Sequence, residues 1–360
     1  MPADPPWWHP ESLSRRRPAL DARRAATKAV RAYFQAEGFI EVETPILQVS
    51  GGIERHIRPL RTTLHEPFAA GGRHLNLQTS PEFAMKKLLA GGLGKIWQQA
   101  RVFRDGERGP LHHPEFTMLE WYRVGTDYAA MMTDCAALAA KTARVAQRTL
   151  EHDGLLWWQG VACDAALAPE RLSVQEAFGR HAGIDLLATI GDTPDGDPDP
   201  AALIAAATGI GVRAQAHDRW EDVFFRVMLD RIEPHLGHGR LTMLCDYPAP
   251  LAALARRKPG NARIAERFEM YACGVELANG YSELTDAAEQ RARFAQDRAL
   301  HERLYGAAPP LDEDFLRALE AGVPACSGCA LGFDRLVMLA AHAQRIDDVL
   351  WAPVDDGGAS

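Results

Sequence analysis

The chain has 360 residues, of which 47% are apolar and 24% are charged, and its formal net charge is −8. This composition is that of a globular protein. It excludes an intrinsically disordered chain and argues against a broad nucleic-acid-binding surface. No apolar run approaches the roughly 20 residues of a membrane span, and the first residues lack the order of a signal peptide, so we expect a cytoplasmic protein. The six scattered cysteines favour a reducing compartment and structural thiols rather than a zinc site.

Residues 1–20 are rich in proline and arginine, and we expect them to form a flexible segment. A helix is predicted over 21–38, with Asp21 as its N-cap, because small and apolar residues recur there at helical spacing. A strand follows over 39–47 and runs into a Thr-Pro pair. The basic residues between 15 and 31 form a cluster that is either a docking surface or a solvated tail and helix face.

The next predicted unit is a short strand from Leu75, a turn at Ser80 and Pro81, and a helix with Glu82 in its first turn. A carboxylate at that position is favoured by the helix dipole without any further role. Glu82 is therefore either a binding-site residue or only a stabilising residue of the helix start.

Two runs with alternating apolar and polar residues, 95–103 and 115–123, flank a loop that contains two glycines and two prolines. This pattern predicts a long-looped antiparallel hairpin. In the second strand the period of two places four residues on one face: Phe116, Met118, Glu120 and Tyr122. By charge content alone, the hairpin is equally well a solvated surface feature.

Residues 128–258 carry fewer signals. The pattern predicts an alanine-rich helix over 128–150, a proline-rich loop over 192–200, an amphipathic helix over 220–232 and a strand from Leu244. The sequence contains no glycine-rich phosphate loop that would indicate a second nucleotide-binding fold.

Three glutamates, Glu269, Glu276 and Glu283, lie in runs with strand-like composition, and we expect turns at Gly274 and Gly280. Carboxylates in half-buried strands are costly unless they meet a cation. A magnesium ion that bridges the phosphates of ATP would satisfy them, and so would the ammonium group of a ligand.

Three further elements are predicted towards the C-terminus. A helix over 286–306 begins with a capping-box pattern formed by Asp286 and Glu289, and another helix follows over 312–322. Residues 326–339 then have the pattern of a glycine-containing strand that enters a helix.

Several of these stretches together resemble the class II aminoacyl-tRNA synthetases, and in particular their lysyl branch. The segments that carry the resemblance are the helix and strand over 21–47, Thr79-Ser-Pro-Glu82, Phe103-Arg104, His113-Pro-Glu-Phe-Thr-Met-Leu-Glu-Trp121, Gly274-Val-Glu-Leu-Ala-Asn-Gly-Tyr-Ser-Glu-Leu284 and Gly328-Cys-Ala-Leu-Gly-Phe-Asp-Arg335. The resemblance implies an α+β fold in which an antiparallel β-sheet is flanked by helices. It also implies one catalytic domain over 21–360, least typical at about 140–240, and a homodimer.

The function that the resemblance implies is activation of lysine by ATP and Mg²⁺. The carboxylate of the amino acid is itself the nucleophile, so the enzyme needs alignment and charge neutralisation rather than a catalytic triad. Arg104 and Arg335 would be catalytic. The implied ATP-binding residues are Arg104, Asp105, Glu107, His113, Glu276, Leu277, Asn279, Gly332 and Arg335. The implied substrate-binding residues are Ser80, Pro81, Glu82, Tyr122, Glu283 and Ala330, and the implied metal ligands are Glu276 and Glu283.

The sequence departs from the family pattern in the loop of the predicted hairpin. The family has Arg-x-Glu, whereas here Arg104 is followed by Asp105, a glycine and only then Glu107. The usual His-Asn pair is replaced by His112 and His113. Either Glu107 contacts the adenine from a shifted position or Asp105 replaces it.

The arrangement of the chain bears on the acceptor. Lysyl-tRNA synthetases carry an anticodon-binding module, of roughly a hundred residues, before their first motif, whereas here that motif begins near residue 21. This architecture resembles the ligases that place (R)-β-lysine on a lysine of elongation factor P, and Ala330, where tRNA-charging enzymes usually have glycine, agrees with it. The expected partners are elongation factor P and lysine or β-lysine, with no membrane, and with tRNA unlikely.

Two alternatives stay open at this point. One is a lysine-activating enzyme with another acceptor, including tRNA. The other is a non-catalytic regulatory paralogue, which predicts loss of the phosphate-binding groups, yet Arg104, Glu276, Glu283 and Arg335 are all present. The choice between α- and β-lysine and the docking surface for the acceptor also stay open.

Overall fold

The computed structural model describes residues 5–52, 57–68, 71–191, 197–306 and 308–354, which form nine α-helices and fifteen strands. The helices are α1 Pro10–Ala36, α2 Glu82–Ala90, α3 Tyr128–Leu150, α4 Val174–Ala182, α5 Pro200–Gly209, α6 Trp220–Val227, α7 Ala287–Tyr305, α8 Glu313–Gly322 and α9 Phe333–Ala340. The strands are β1 Ile40–Glu41, β2 Leu47–Gln48, β3 Arg61–Leu64, β4 Arg73–Leu77, β5 Lys95–Phe103, β6 Glu115–Val124, β7 Leu156–Trp158, β8 Val161–Asp164, β9 Glu170–Ser173, β10 Gly239–Arg240, β11 Thr242–Pro248, β12 Arg257–Lys258, β13 Asn261–Ala272, β14 Val275–Ser282 and β15 Cys326–Gly332. None of the described helices is both long enough and apolar enough to cross a membrane.

Nine strands form the central sheet, in the order β1-β5-β6-β15-β14-β13-β11-β9, with β12 paired to β13. The pairs β1–β5 and β9–β11 are parallel, and the other pairs of this sheet are antiparallel. Two three-stranded sheets, β10-β8-β7 and β2-β4-β3, lie outside it. The predicted α+β fold, with a largely antiparallel sheet flanked by helices, is therefore confirmed.

The predicted hairpin forms the middle of the central sheet. Strands β5 and β6 pair from Lys95 with Arg123 to Phe103 with Glu115. The other edge of β6 pairs with β15, and β15 pairs with β14. Because both edges of β6 are paired, the hairpin is part of the core and not a solvated surface feature.

One face of the sheet is covered by α1, α3 and α9, which enclose a large apolar core. The ring of Phe34 from α1 stacks on Trp97 of β5 with centroids 4.5 Å apart, and it lies 5.6 Å from Trp121 of β6. All three side chains are almost fully buried. Burying one such side chain contributes about 1.5–3 kcal/mol, so this contact anchors the first helix to the hairpin.

The expectation of a flexible segment over 1–20, followed by a helix from 21, is wrong for residues 10–20. Helix α1 begins at Pro10, because His9 caps it and a proline at the first helical position sacrifices no hydrogen bond. Arg16 is buried and donates from Nη2 to the carbonyl oxygen of Leu350. Residues at the other end of the chain thus hold this part of the helix in place.

The basic cluster of residues 15–31 does not form one continuous charged surface. Arg16 and Arg23 point into the protein and are about 95% buried, at 5% and 4% relative exposure. Arg17 pairs with Asp21 on the same helix. Two further exposed arginines, Arg24 and Arg31, also pair with carboxylates, which favours the solvated helix face.

Residues 172–251 contain a second apolar core, formed mainly by α4, α5 and α6. Helix α6 ends at Val227 and continues as a π-helical turn over Met228–Ile232, so the predicted helix over 220–232 is present with changed geometry. Of the predicted loop over 192–200, residues 192–196 lie outside the described residues.

The remaining predicted elements lie close to their expected positions, with one correction. Gly274 forms the turn between β13 and β14, whereas Gly280 lies within β14 and not at a turn. A Cβ atom at Gly280 would come within 2.7 Å of the Phe268 ring and 2.9 Å of the Gly328 carbonyl oxygen. Close packing, rather than a turn, explains this glycine. The six cysteines are free and buried, as expected for structural thiols.

Candidate active site

A cavity of about 690 Å³ opens on the face of the central sheet opposite α1, α3 and α9. Strands β6, β13, β14 and β15 form its floor, and the loop between β5 and β6 and helix α6 form part of its walls. The predicted period of two in β6 is confirmed, because all four residues of that face line the cavity: Phe116, Met118, Glu120 and Tyr122.

The cavity has two chemically different ends. We call the first the acidic end, and it is defined by Ser80, Glu82, Glu120, Tyr122, Tyr281 and Glu283. We call the second the arginine end, and it is defined by Arg104, Glu107, His112, Arg267, Glu269, Glu276 and Arg335. Both ends belong to one continuous space.

Glu120 lies at the centre of the acidic end and is 2% exposed. Its Oε2 accepts a hydrogen bond of 2.7 Å from Ser80 Oγ, and its Oε1 accepts one of 2.6 Å from the Tyr122 hydroxyl. Burial, together with the charge of Glu82, raises the pKa of Glu120 to about 8. Near neutral pH this carboxyl group therefore takes up or releases a proton readily.

A buried cation, Lys86, lies behind the acidic end. Its Nζ forms ion pairs with Glu82 and, at 2.5 Å, with Glu283 Oε2. The Tyr281 hydroxyl donates to Glu82 Oε1 at 2.7 Å. Burial alone would lower the pKa of Lys86, but the charges of Glu283 and Glu82 outweigh it and raise that pKa. Lys86 is therefore an ammonium ion in the folded protein.

Glu283 faces both Lys86 and the cavity. While Oε2 pairs with Lys86, Oε1 has no hydrogen-bond partner within the described part of the chain. Burial raises the pKa of Glu283 to about 8, although the charge of Lys86 opposes this rise. A buried carboxylate oxygen without a partner is costly, so this atom is available to a positively charged ligand.

At the arginine end, three hydrogen bonds orient the guanidinium group of Arg335. It donates from Nη1 to the Glu276 carbonyl oxygen at 3.0 Å, from Nε to the Leu111 carbonyl oxygen at 3.1 Å, and from Nη2 to His112 Nε2 at 2.7 Å. Burial and the charge of Arg335 lower the pKa of His112. The neutral imidazole then serves as the acceptor for Arg335.

Arg104 extends from the end of β5 and stacks over Phe116, with Cζ 5.1 Å from the ring centroid. Its Nη1 lies 3.5 Å from Glu107 Oε1, and its buried Nε has no hydrogen-bond partner among the described residues. A partly satisfied guanidinium group that faces a cavity is suited to bind an anion such as phosphate.

Two carboxylates lie beside the arginines. Glu269 accepts hydrogen bonds from Arg267 Nη2 and from the Tyr271 hydroxyl, each 2.7 Å long. Burial and the charge of Glu269 raise the pKa of Glu276 to about 7. Arg267 Nε also donates to Asn279 Oδ1 at 3.1 Å. Arg267 therefore connects Asn279 to Glu269 in one hydrogen-bond network.

Thirteen of the residues implied by the resemblance line the cavity: Ser80, Glu82, Arg104, Glu107, His113, Tyr122, Glu276, Leu277, Asn279, Glu283, Ala330, Gly332 and Arg335. Two others do not. Pro81 is the N-cap of α2, and Asp105 is about half exposed and lies 3.9 Å from Arg58. Of the two alternatives for the loop carboxylate, the structure therefore favours Glu107.

The two loop histidines have different surroundings. His113 contacts the backbone on both sides, with Nδ1 2.5 Å from the Glu115 carbonyl oxygen and Nε2 accepting from Val354 N at 3.0 Å. His112 instead contacts Arg335. A role of His113 in ATP binding stays a prediction. His112, which was not among the predicted binding residues, is the histidine that orients Arg335.

The implied metal pair, Glu276 and Glu283, lies in two different environments. Glu283 is beside Lys86, whereas the charged groups nearest to Glu276 include Glu269 and Arg335. Metal binding by this pair stays a prediction. The arrangement adds Glu269 as a neighbouring carboxylate for Glu276.

Sequence reasoning left five functional candidates out of the site: Lys86, His112, Glu120, Arg267 and Tyr281. Three of them had a usable signal. Lys86 follows Glu82 by four residues in a helix, which is the spacing of an ion pair, and Glu120 and Arg267 each share a strand face with another candidate two residues away. The contacts of His112 and Tyr281 depend on residues far away in the chain.

Among the described residues, one other group could provide three metal ligands: His152, Asp153 and His342. Both rings already use Nε2, which lies 2.9 Å from the Ala340 carbonyl oxygen in His152 and 2.9 Å from the Leu155 carbonyl oxygen in His342. Gly154 N also donates to His152 Nδ1. This group therefore serves to connect α3 with the end of α9.

Comparison with known proteins agrees with this geometry. Residues 12–356 match the family model for the tRNA synthetases class II (D, K and N). A protein of Sodalis glossinidius named elongation factor P–(R)-beta-lysine ligase is 41% identical over 330 residues, which cover 91% of this chain and 92% of that protein. Proteins with the same name from Proteus mirabilis (40% over 325 residues, 90% and 91% covered) and Salmonella arizonae (39% over 350 residues, 97% and 98% covered) are also similar.

Proposed function

Because this chain belongs to the class II aminoacyl-tRNA synthetases of the aspartate, lysine and asparagine group, we propose that it activates (R)-β-lysine with ATP and ligates it to elongation factor P. The acceptor would be a lysine side chain of that protein. The names of the relatives support this choice of substrate and acceptor. The observation that carries the proposal is the single cavity that joins the acidic end to the arginine end.

The acidic end suits a substrate with two amino groups. Glu82, Glu120 and Glu283 supply three carboxylates, and Lys86 supplies one positive charge, so two negative charges remain when all are ionised. A lysine isomer carries two ammonium groups and would neutralise them. Glu283 Oε1, which has no partner among the described residues, is a position for one of these groups.

The first chemical step needs no protein base. An oxygen of the substrate carboxylate, which is ionised at neutral pH, attacks the α-phosphorus of ATP. A new oxygen–phosphorus bond forms, the bond to pyrophosphate breaks, and pyrophosphate leaves with its electron pair. Arg104 and Arg335 neutralise the charge that develops on the phosphate oxygens, and the hydrogen bonds that fix Arg335 prepare it for this role.

The second step is transfer to the acceptor. The neutral amine of the acceptor lysine attacks the carbonyl carbon of the adenylate. An amide bond forms, AMP leaves, and the nitrogen loses a proton to solvent or to a carboxylate.

The residues at the arginine end fit a Mg²⁺ ion that accompanies ATP. Glu276 and Glu269 offer carboxylate oxygens, which Mg²⁺ prefers, and their mutual repulsion is one cause of the raised pKa of Glu276. We propose that Glu276 and Glu269 hold the ion. When bound, Mg²⁺ would supply further neutralisation of the phosphate charges.

Ala330 supports the choice of the β isomer. It lies on the cavity floor and pairs with Glu120 across β15 and β6. Its methyl group occupies space next to the amine-binding carboxylates, where the tRNA-charging enzymes of the family usually have glycine. The homodimer and the cytoplasmic location stay predictions.

The test is ATP–pyrophosphate exchange with (R)-β-lysine, (S)-β-lysine and α-lysine in parallel. We expect fastest exchange with (R)-β-lysine. Elongation factor P is then incubated with the enzyme, ATP and this isomer, and its mass is measured. A mass gain of one lysyl group on a lysine supports the proposal. Exchange without modification of elongation factor P, or charging of tRNA instead, would refute the acceptor, and no exchange would refute the activity.

A further inference from the structure

The least expected feature of the site is a lysine beside the carboxyl groups that are proposed to bind the ammonium groups of the substrate. Lys86 lies on α2, one turn after Glu82, and its side chain is 2% exposed. It does not line the cavity; it contacts Glu82 and Glu283 from behind. The chain thus places a permanent cation next to carboxylates that face a cationic substrate.

The ammonium group of Lys86 contacts charged groups and aromatic rings on several sides. Lys86 Nζ lies 2.5 Å from Glu283 Oε2 and also pairs with Glu82, while the rings of Tyr281 and Phe315 have their centroids 5.5 and 5.9 Å from it. A buried ion needs such partners, because an isolated charge in the interior is very costly. The same contacts fix the positions of both carboxylates.

We propose that Lys86 is a positioning residue of the acidic end: its ion pairs hold the carboxyl groups of Glu82 and Glu283 in place, so that their oxygens can bind the ammonium groups of the substrate. This inference rests on the proposed function. It adds a role for a residue that does not touch the substrate. It also explains how three carboxyl groups can lie close together before the substrate arrives, because the ammonium group of Lys86 pairs with two of them.

The groups that face Lys86 come from several elements. They are Glu82 on α2, Glu120 on β6, Tyr281 on β14, Glu283 after β14, Phe315 on α8 and Cys326 on β15. The charge of Lys86 lowers the pKa of both Glu120 and Glu283, although burial prevails. Loss of this charge would raise both pKa values further, so the two carboxyl groups would ionise only at higher pH.

Three variants test the proposal: Lys86→Met removes the charge and keeps much of the length, Lys86→Arg keeps the charge, and Lys87→Met is the matched control. Lys87 is the next residue of the same helix, but it pairs with Asp312 at 2.8 Å, away from the cavity. For each protein, kcat and KM are measured in ATP–pyrophosphate exchange between pH 6 and 9.5. The amine and ATP are varied separately.

We expect Lys86→Met to raise KM for the lysine isomer by about tenfold or more and KM for ATP by less than about twofold. The acidic limb of kcat/KM for the amine should move to higher pH by about one unit, since more alkaline conditions are then needed to ionise the carboxylates. Lys86→Arg should restore most of the pH profile. Lys87→Met should change neither constant.

Two results would overturn the inference. One is an equal rise of both KM values, which would indicate general disruption. The other is an unmoved acidic limb in Lys86→Met. The proposed function fails separately, because in that case the wild-type protein itself shows no exchange with any lysine isomer.

A measurement on the wild-type protein covers the case in which Lys86→Met does not fold. The ¹⁵N-labelled lysine side chains are observed by NMR during a titration, and Lys86 is assigned from the spectrum of Lys86→Arg. We expect the Lys86 side chain to stay protonated at pH 11, where an ordinary lysine, with a pKa of about 10.4, is mostly neutral. A midpoint at or below that of the exposed lysines would contradict the proposed ion-pairing role, whatever the activity.

Discussion

The buried ion pair between Arg23 on α1 and Asp334 on α9 gives the sharpest stability prediction. The two side chains are 5% and 1% exposed. Arg23 also donates to Thr117 Oγ1 at 2.9 Å and to the Val349 carbonyl oxygen at 3.2 Å. Asp334 accepts a further bond of 2.6 Å from Thr117 N. The perturbation is Arg23→Met, which leaves Asp334 buried without its cation.

The magnitude follows from burial. Removing one partner of a buried ion pair costs about 3–5 kcal/mol, because the other charge stays behind without compensation. A chain of 360 residues unfolds with an entropy of roughly 0.75 kcal/mol per kelvin, at about 2.1 cal/mol/K for each residue. We therefore expect Arg23→Met to lower Tm by about 4 to 7 °C.

The assay is thermal unfolding monitored by circular dichroism, with Arg31→Met as the control. Arg31 lies on the same helix and pairs with Glu41 at 3.2 Å, but its side chain is 57% exposed. An exposed pair contributes at most about 1 kcal/mol, so the control should lose about 1 °C. Equal losses in the two variants would show that burial of the Arg23–Asp334 pair carries no special weight, and the reasoning would be wrong.

Three further predictions concern the cavity. At pH 7, binding of a lysine isomer should release between about one and two protons, because its ammonium groups lower the pKa values of about 8 of Glu120 and Glu283. Calorimetry in buffers of different ionisation enthalpy measures this release, and proton uptake would contradict the prediction. Arg104→Met should reduce kcat of pyrophosphate exchange by about 10²–10³, whereas Arg101→Met, whose side chain is 46% exposed on the same strand, should stay near wild type. Gly328→Ala should raise KM for the amine by about tenfold but leave KM for ATP unchanged, because the added Cβ would lie 2.6 Å from Glu283 Oε1; equal changes in both constants would argue against a local effect.

The hairpin and the C-terminal elements were predictable because each carries its own local signal. Alternation over 95–103 and 115–123 and the glycines and prolines between them were sufficient to predict two paired strands. The same alternation placed Glu120 and Tyr122 on the cavity face. These features depend on residues close together in the sequence, and for this reason the sequence predicts them.

The start of α1 could not be predicted in this way. Residues 10–20 contain four arginines or prolines in succession, Arg15 to Pro18, which is typical of a flexible segment. Their helix is stabilised by contacts such as that of Arg16 with the Leu350 carbonyl oxygen, more than 300 residues away. A long-range partner of this kind leaves no local trace in the sequence.

The charge balance of the site was missed for a similar reason. Lys86 had a visible partner in Glu82, but its second partner, Glu283, lies almost 200 residues later. The irregular loop over 105–114 has no period, so nothing local distinguished His112, which contacts Arg335, from His113, which contacts the backbone. The different contacts of these two neighbouring histidines become visible only in the folded structure.

The register of the central sheet explains how one cavity can serve both halves of the reaction. Glu120 of β6 pairs with Ala330 of β15, Ala330 with Asn279 of β14, and Asn279 with Glu269 of β13. Directly paired residues face the same side of a sheet, so these four form a row across the cavity floor from the acidic end to the arginine end.

In the middle of this row stands Ala330, the smallest side chain of the four, and its size keeps the passage between the two ends open. A shift of β15 by one residue would turn Ala330 away and bring Cys329 or Leu331 to the floor. Leu331 is fully buried in the core on the opposite face, which makes such a shift costly. The packing of the core thus keeps Ala330 in this row. A lysine whose ammonium groups are bound at the acidic end can then extend along the row and place its own carboxylate near the arginines.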